Sequence, residues 1–107
     1  MKTITSKELQ EKINNKENFY LDIKASWCGP CKVLLKSLED VTKLVKESTG
    51  DDKPIYVFDV DEDRDYALQT LNVRSVPTTK LYKNGEEIYT KTGILRREEI
   101  VELINQI

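Results

Sequence analysis

The sequence contains no histidine, the side chain that most often serves as a general base or a metal ligand near neutral pH. Catalysis by Ser-His or Cys-His pairs is therefore excluded, and any acid–base group must be a carboxylate, a lysine, a tyrosine or a thiol. The two cysteines also cannot complete a zinc site within one chain, because such sites need three or four protein ligands.

The chain also has little net charge. Its 17 basic and 19 acidic residues leave a formal charge of −2 at pH 7, so we expect no binding to nucleic acid or to an anionic membrane. No apolar run approaches the roughly 20 residues of a membrane-spanning helix, and residues 1–5 lack the apolar core of a secretion signal. We therefore expect a cytoplasmic protein, where a cysteine pair stays largely reduced and acts catalytically. A secreted chain that had lost its signal would look the same.

The length and the apolar periodicity predict one α/β domain over residues 1–107. Residues 19–25 are almost continuously apolar, which indicates a central strand of a sheet that is covered on both faces. The predicted order is β-α-β-α-β-α-β-β-α. The strands are expected at 1–5, 19–25, 55–59, 78–83 and 86–92, and the helices at 6–14, 31–48, around 66–71 and at 96–106.

An acidic cluster precedes the third predicted helix. Asp61 or Asp63 can cap that helix, and carboxylates stabilise the positive end of the helix dipole. A metal site of Asp59, Asp61 and Asp63 is the alternative, but the spacing does not match a calcium-binding EF-hand loop. We therefore expect no metal ion.

Both cysteines lie in the segment Trp27-Cys28-Gly29-Pro30-Cys31, between a predicted strand and a predicted helix. The unpaired N–H groups and the partial positive charge of a helix N-terminus stabilise a thiolate and lower its pKa. Cys28 is therefore placed to attack a foreign disulfide, and we expect it to be the more exposed sulfur. Cys31, one turn later, is placed to resolve the mixed disulfide.

Two other interpretations of the cysteine pair have less support. A structural disulfide across so short a loop stabilises a fold by only roughly 2 kcal/mol in the chain-entropy model. Two unrelated buried cysteines are the second alternative. A Cys-x-x-Cys sequence near a βαβ pattern is typical of redox chemistry, so the sequence predicts a thiol–disulfide oxidoreductase.

The sequence Trp-Cys-Gly-Pro-Cys-Lys at residues 27–32 resembles the active site of the thioredoxin family. Asp22 matches the buried aspartate of the family, and residues 75–78, Ser-Val-Pro-Thr, resemble its cis-proline loop. Residues 82–86 resemble its hairpin and Gly93 its late active-site glycine. The resemblance covers essentially the whole chain and implies the thioredoxin fold, a mixed central sheet with helices on both faces.

The resemblance also implies a function. It predicts a protein disulfide reductase and electron carrier that alternates between a dithiol and a Cys28–Cys31 disulfide without a bound cofactor. The expected partners are disulfide-containing client proteins and a thioredoxin reductase that uses NADPH and a flavin, and we expect a monomer. Val76 is expected to precede a cis proline and to pair its backbone with an extended client segment. The full client-binding surface is predicted to comprise Trp27, Gly29, Pro30, Val76, Pro77, Thr78 and Gly93.

Asp22 is the expected proton acceptor and donor. Burial in a central strand should raise its pKa, so that it can take the proton of Cys31; an ordinary surface aspartate is the alternative. Lys24 stands where the family usually has tryptophan, and Val57 stands where the family often has a lysine. We hypothesise that Lys24 replaces that lysine as the charge partner of Asp22 and helps to lower the pKa of Cys28. Alternatively, Lys24 extends to solvent along an apolar surface.

Two other functions stay open at this level. An oxidase or an isomerase can share the fold, although the Gly-Pro pair between the cysteines matches the reducing branch of the family. A structural interaction module that does not use its cysteines is the alternative from another class.

Overall fold

The computed structural model describes residues 1–107, and a mixed five-stranded sheet in the order β1-β3-β2-β4-β5 forms its centre. Strands β1, β3 and β2 are parallel, whereas β4 pairs antiparallel with both β2 and β5. The predicted α/β class is confirmed. The elements are β1 (Lys2–Thr3), α1 (Ser6–Asn14), β2 (Phe19–Lys24), α2 (Gly29–Thr49), β3 (Ile55–Asp59), β4 (Thr78–Lys83), β5 (Glu86–Thr92) and α3 (Arg97–Ile104).

Alternation along the central strand β2 divides the core between the two faces of the sheet. Phe19, Leu21 and Ile23 point to the face that is covered by α1 and by the segment after β3. Tyr20 points to the other face, where it packs with apolar residues of α2 and α3. Asp22 shares the face of Tyr20 and therefore lies beneath these two helices.

Helix α2 begins two residues earlier than the sequence predicted. Cys28 itself is the N-cap, with extended backbone angles, and Pro30 lies in the first turn, where its missing N–H group is not needed. The helix continues unbroken for 21 residues and ends at Gly50 in the left-handed conformation. The absence of a proline in its middle explains why no kink interrupts it.

The third predicted helix is not the regular α-helix that the sequence indicated. A 3₁₀ turn at Val60–Glu62 and a π-helical segment at Tyr66–Thr70 replace the expected α-helix. Asp59 caps the first turn, while Asp63 accepts a hydrogen bond from the backbone N–H of Tyr66 at 3.1 Å. The predicted capping by acidic residues is therefore present, but the helical period that follows it is wider than expected.

The chain then passes through a Val76–Pro77 peptide bond in the cis form and enters the β4–β5 hairpin. Asn84 and Gly85 both have positive φ angles at the tip, as a type I′ turn requires. Both hairpin strands have the predicted boundaries. No helix of the protein combines the length and the apolarity needed to cross a bilayer.

Candidate active site

Cys28 and Cys31 form a disulfide across the first turn of α2, with their Cα atoms 5.3 Å apart. The predicted pairing of the two residues at one helix N-terminus is therefore present. Strand β2 leads directly into this turn, so the sheet fixes the position of the first cysteine and the helix fixes that of the second.

The sulfur of Cys28 receives a hydrogen bond from the backbone. The N–H group of Cys31 donates to Cys28 Sγ at 3.2 Å, and the carbonyl oxygen of Val76 lies 3.8 Å from the same sulfur. A donor at a helix N-terminus stabilises negative charge on that sulfur and so favours the thiolate once the disulfide is reduced. Cys28 is 5% exposed and Cys31 3%, so Cys28 is the more exposed of the two by a small margin and both residues are buried.

Trp27 is the main exposed apolar side chain next to the disulfide, at 68% exposure. Its indole Nε1 donates to the Asp61 carboxylate at 3.0 Å, and Asp61 also pairs with Arg64 at 2.8 Å. This contact fixes the orientation of an otherwise free ring. Part of the acidic cluster therefore serves the active-site surface and not only helix capping, which the sequence did not indicate.

The other residues of the predicted client-binding surface divide by exposure. Gly29 and Pro30 are exposed, and Val76 and Gly93 are half-buried. Pro77 and Thr78 are buried, so their side chains add little area to the predicted surface. They brace the loop instead: the Thr78 hydroxyl donates to the Ser75 carbonyl at 2.7 Å, and Gly93 N–H donates to the Pro77 carbonyl at 2.8 Å.

A groove of about 320 Å³ opens beside Trp27 and Val76. No sequence pattern indicated its far wall, because the π-helical segment and the loop before Pro77 approach each other only in the folded chain. Six of its ten residues are apolar, and two are arginines. Its lining comprises Trp27, Val60, Asp61, Arg64, Ala67, Leu68, Val73, Arg74, Ser75 and Val76.

Asp22 lies in the sheet beneath α2 and is only 1% exposed. Burial raises its pKa to about 7, and the positive charge of Lys24 opposes part of that rise. Neither carboxylate oxygen has a hydrogen-bond partner within the protein. The predicted burial and raised pKa are therefore present, and the group titrates near neutral pH.

Lys24 acts on Asp22 through its charge, as hypothesised, but its ion-pair partner is Asp59. In the parallel register of β2 and β3, Asp22 is opposite Val57 and Lys24 is opposite Asp59. Lys24 Nζ accordingly lies 3.4 Å from Asp59 Oδ2, and both side chains are 25% exposed. The charge of Lys24 lowers the pKa of Asp22 without a direct contact. Lys24 also lines a small pocket together with Cys31.

Replacing Lys24 by methionine is expected to raise the pKa of Asp22 above about 7, because the variant loses the one positive charge that favours the carboxylate. Titration of the Asp22 carboxyl carbon by NMR measures this directly. Lys43→Met, which removes a solvent-exposed lysine of α2, serves as the control. An identical Asp22 titration in the wild type and in Lys24→Met would show that Lys24 has no electrostatic role at this site.

The three aspartates of the alternative metal site each have protein partners. Asp59 pairs with Lys24 and accepts the N–H of Asp61 at 2.9 Å. Asp63 accepts the hydroxyl of Ser6 at 2.8 Å. These contacts give each carboxylate a structural role, and no group of three or more acidic or cysteine side chains is arranged to hold a metal ion.

Comparison with known proteins places this geometry in a family. The sequence model of the Thioredoxin family matches residues 1–106. Thioredoxin of Haemophilus influenzae is 36% identical over 94 residues, which cover 88% of this chain and 83% of that protein. Thioredoxin of Bacillus subtilis is 36% identical over 85 residues, covering 79% and 77%. A solved structure of Plasmodium falciparum thioredoxin superposes with a TM-score of 0.78 at 30% identity, over 99% of this chain and 98% of that one.

The family match, the mixed sheet with helices on both faces and the disulfide at the start of α2 agree with one another. A Cys-x-x-Cys pair in this position supports reduction of disulfides by thiol–disulfide exchange. The chain therefore belongs to the thioredoxin family and is a thiol–disulfide oxidoreductase.

Proposed function

We propose that Cys28 is the attacking group and Cys31 the resolving group when this protein reduces a disulfide in a client protein. The observation that supports this order is the hydrogen bond from Cys31 N–H to Cys28 Sγ at the N-terminus of α2. A thiolate at Cys28 gains this bond and the helix dipole, whereas Cys31 lies within the helix and has no such donor in the structure.

The reaction balances in two exchange steps. The Cys28 thiolate attacks one client sulfur, the client disulfide breaks, and its other sulfur leaves as a thiolate that takes a proton from solvent. Cys31 then loses its proton and attacks Cys28, which forms the Cys28–Cys31 disulfide and releases the second client sulfur. Two electrons pass from the protein to the client, and the client gains two thiols.

Asp22 is proposed as the acceptor of the Cys31 proton. Its carboxyl is on the sheet face that α2 covers, and its pKa of about 7 lets it exchange a proton near neutral pH. No other buried carboxylate is available there, because the charged residues at less than 5% exposure are Asp22 and Lys80, and Lys80 lies on the opposite face with Glu87.

The groove beside Trp27 is the proposed client site. An extended client segment can pair with the exposed backbone edge at Val76 while its side chains enter the apolar part of the groove. Arg64 and Arg74 line the same groove and favour clients with acidic residues next to the disulfide. Trp27, held by Asp61, forms the wall nearest to the two cysteines.

The cellular role is a further proposal. A reductase must be re-reduced, and we propose a flavin- and NADPH-dependent thioredoxin reductase as the electron source, since the protein itself carries only one redox-active pair. A monomer in the cytoplasm, serving electron transport and redox homeostasis, fits this cycle. The thiol pair is predicted to be largely reduced there.

The reduction potential of the Cys28–Cys31 pair tests the direction of the proposed reaction. Equilibration of the protein with dithiothreitol and glutathione buffers of known potential should give a reduction potential of about −270 mV, which is typical of thioredoxins. Alkylation of free thiols measures the ratio of the dithiol form to the disulfide form at each buffer potential.

A potential at or above about −180 mV, typical of protein disulfide isomerase, would contradict the reductase proposal and the cytoplasmic location. Ser26→Ala, a change at an exposed residue before the motif, provides a control for nonspecific effects on the measurement.

A further inference from the structure

Two buried hydroxyl side chains that the exchange chemistry does not use, those of Tyr20 and Thr79, lie with Asp22 beneath α2. Tyr20 and Thr79 are fully buried and Asp22 is 1% exposed. The buried side-chain polar atoms without a hydrogen-bond partner in the protein are the Tyr20 hydroxyl, both Asp22 oxygens and the Thr79 hydroxyl. All such atoms of the molecule therefore belong to these three residues.

The strand register explains why the three meet. Asp22 on β2 is directly opposite Thr79 on β4 in the antiparallel pair, and side chains so paired lie about 5 Å apart at Cβ. Tyr20 is two residues before Asp22 and points to the same face. Thr79 is also the diagonal neighbour of Tyr20 across the strand pair. Burial raises the pKa of Tyr20, and the nearby Thr79 hydroxyl opposes that rise. The two oxygens do not form a hydrogen bond with each other.

Other buried polar residues of the same strand are fully paired. Thr78 bonds to Ser75 and Thr92, and Lys80 bonds to Glu87 and Thr90. An unpaired buried polar group destabilises the folded state, whereas valine at position 79 or phenylalanine at position 20 would fill nearly the same space without that cost. Two hydroxyls beside one buried carboxyl therefore indicate a shared task.

We propose that Thr79, assisted by Tyr20, is a positioning residue for Asp22: its hydroxyl donates to the carboxylate through one water molecule and stabilises the ionised form that accepts the proton of Cys31. The inference rests on the proposed role of Asp22. A hydroxyl donor favours the charged form of its acceptor, and the carboxylate in turn satisfies the otherwise unpaired hydroxyl.

Several other titratable groups face this side of the sheet or its margins. They are Lys24 on β2, Asp59 on β3, Cys31 at the start of α2, Tyr89 and Lys91 on β5, and Glu99 on α3. Lys91 is the neighbour of Thr79 on the outer strand, but it is paired with Glu99 at 2.9 Å. Thr79 is the uncharged donor that lies directly opposite Asp22 on β4.

Thr79→Val removes the hydroxyl and keeps the shape of the side chain. The pKa of Asp22 is expected to rise by roughly half a unit to one unit, measured by NMR titration of its carboxyl carbon. Thr79→Ser, which restores the hydroxyl, should return the titration to the wild-type midpoint. Tyr20→Phe should move it in the same direction by less. Thr90→Val and Tyr82→Phe, on the opposite face of the sheet, should leave it unchanged.

A kinetic readout follows the resolving step itself. The mixed disulfide of Cys28 with 5-thio-2-nitrobenzoate releases its chromophore when Cys31 attacks, and stopped-flow absorbance gives the rate. Thr79→Val should slow this release by about twofold to fivefold at pH 7 and leave it almost unchanged near pH 9, where the carboxyl is ionised in both proteins. An unchanged Asp22 titration in Thr79→Val would overturn the proposal, whatever the stability of the variant.

The two readouts separate this inference from the function on which it rests. If Thr79→Val shifts the titration of Asp22 but Asp22→Asn resolves the mixed disulfide at the wild-type rate, then Thr79 acts on Asp22 and the proton role of Asp22 is wrong. If Asp22→Asn is slow and Thr79→Val leaves the titration unchanged, then the proton role stands and the role of Thr79 falls.

Discussion

Replacing Cys28 by serine is expected to reduce client turnover to the uncatalysed background, whereas replacing Cys31 by serine should trap the enzyme on its client. The serine hydroxyl is not ionised near pH 7 and cannot attack a disulfide, even with the N–H donor of residue 31 in place. The Cys31→Ser variant keeps that donor and the attacking thiolate. It therefore completes the first exchange and accumulates a mixed disulfide through Cys28.

Mass spectrometry under non-reducing conditions measures both outcomes with a disulfide-containing client protein. The Cys31→Ser variant should carry one client molecule per chain, released by dithiothreitol, and Cys28→Ser should carry none. The opposite distribution would reverse the assigned roles. The double variant Cys28→Ser, Cys31→Ser adds a cellular control: if it retained full function in the host, an interaction module independent of the cysteines would replace the reductase.

Local sequence signals predicted the parts of the fold that short-range chemistry determines. The capping box of α1 is present in both directions, since Thr5 accepts the N–H of Glu8 and Glu8 accepts the N–H of Thr5. Strands β3, β4 and β5 have the predicted boundaries, because β-branched and aromatic runs end at clear turn residues. The location of the cysteine pair at the start of α2 was predictable because the motif lies between a clear strand pattern and a clear helix pattern.

The segment after β3 could not be predicted in kind. Its apolar spacing fits an α-helix, but the N–H of Leu71 bonds to the carbonyl of Tyr66, five residues back, at 3.0 Å. A single added residue per turn leaves almost the same sequence pattern. Leu68 in this segment is 43% exposed and lines the groove beside Trp27.

Site features that depend on strand register could also not be predicted from the sequence. The positive charge of Lys24 is apparent in the sequence. Its ion pair with Asp59 depends on the register between β2 and β3. Thr79 and Tyr20 look like ordinary strand residues until β4 is placed beside β2. Sequence reasoning found Asp22 because its distance from the cysteines carries a signal, whereas its neighbours in space have no such spacing.

Replacing Asp22 by asparagine is expected to stabilise the oxidised protein at pH 8 and to have little effect at pH 4. Burial raises the pKa of Asp22 from 3.8 to about 7 in the folded state. Below pH 4 the carboxyl is neutral in both the folded and the unfolded chain. Between about pH 4 and 7 the unfolded chain ionises first, so the wild type loses stability as the pH rises, and the loss is complete above pH 7.

The size of this effect follows from the displacement of the pKa. A difference of about 3 pH units corresponds to about 4 kcal/mol, which is a large fraction of the stability of a typical domain. Asparagine occupies the same volume and stays neutral, so the variant should lack this pH dependence. Urea unfolding of both proteins at pH 4, 6 and 8 measures the free energy of unfolding and its difference at each pH.

Asp40→Asn is the control with the opposite sign. Asp40 is a partly exposed carboxylate whose pKa is lowered by a hydrogen bond from Lys36, with Arg97 also contributing, so its ionised form stabilises the fold above pH 4. Its replacement should cause a small loss of stability at pH 8. Parallel stability curves for the wild type and Asp22→Asn would show that Asp22 is not buried as a charge. A stability gain combined with slower resolution by Cys31 would show that the fold retains a destabilising carboxylate because the exchange reaction needs a proton acceptor there.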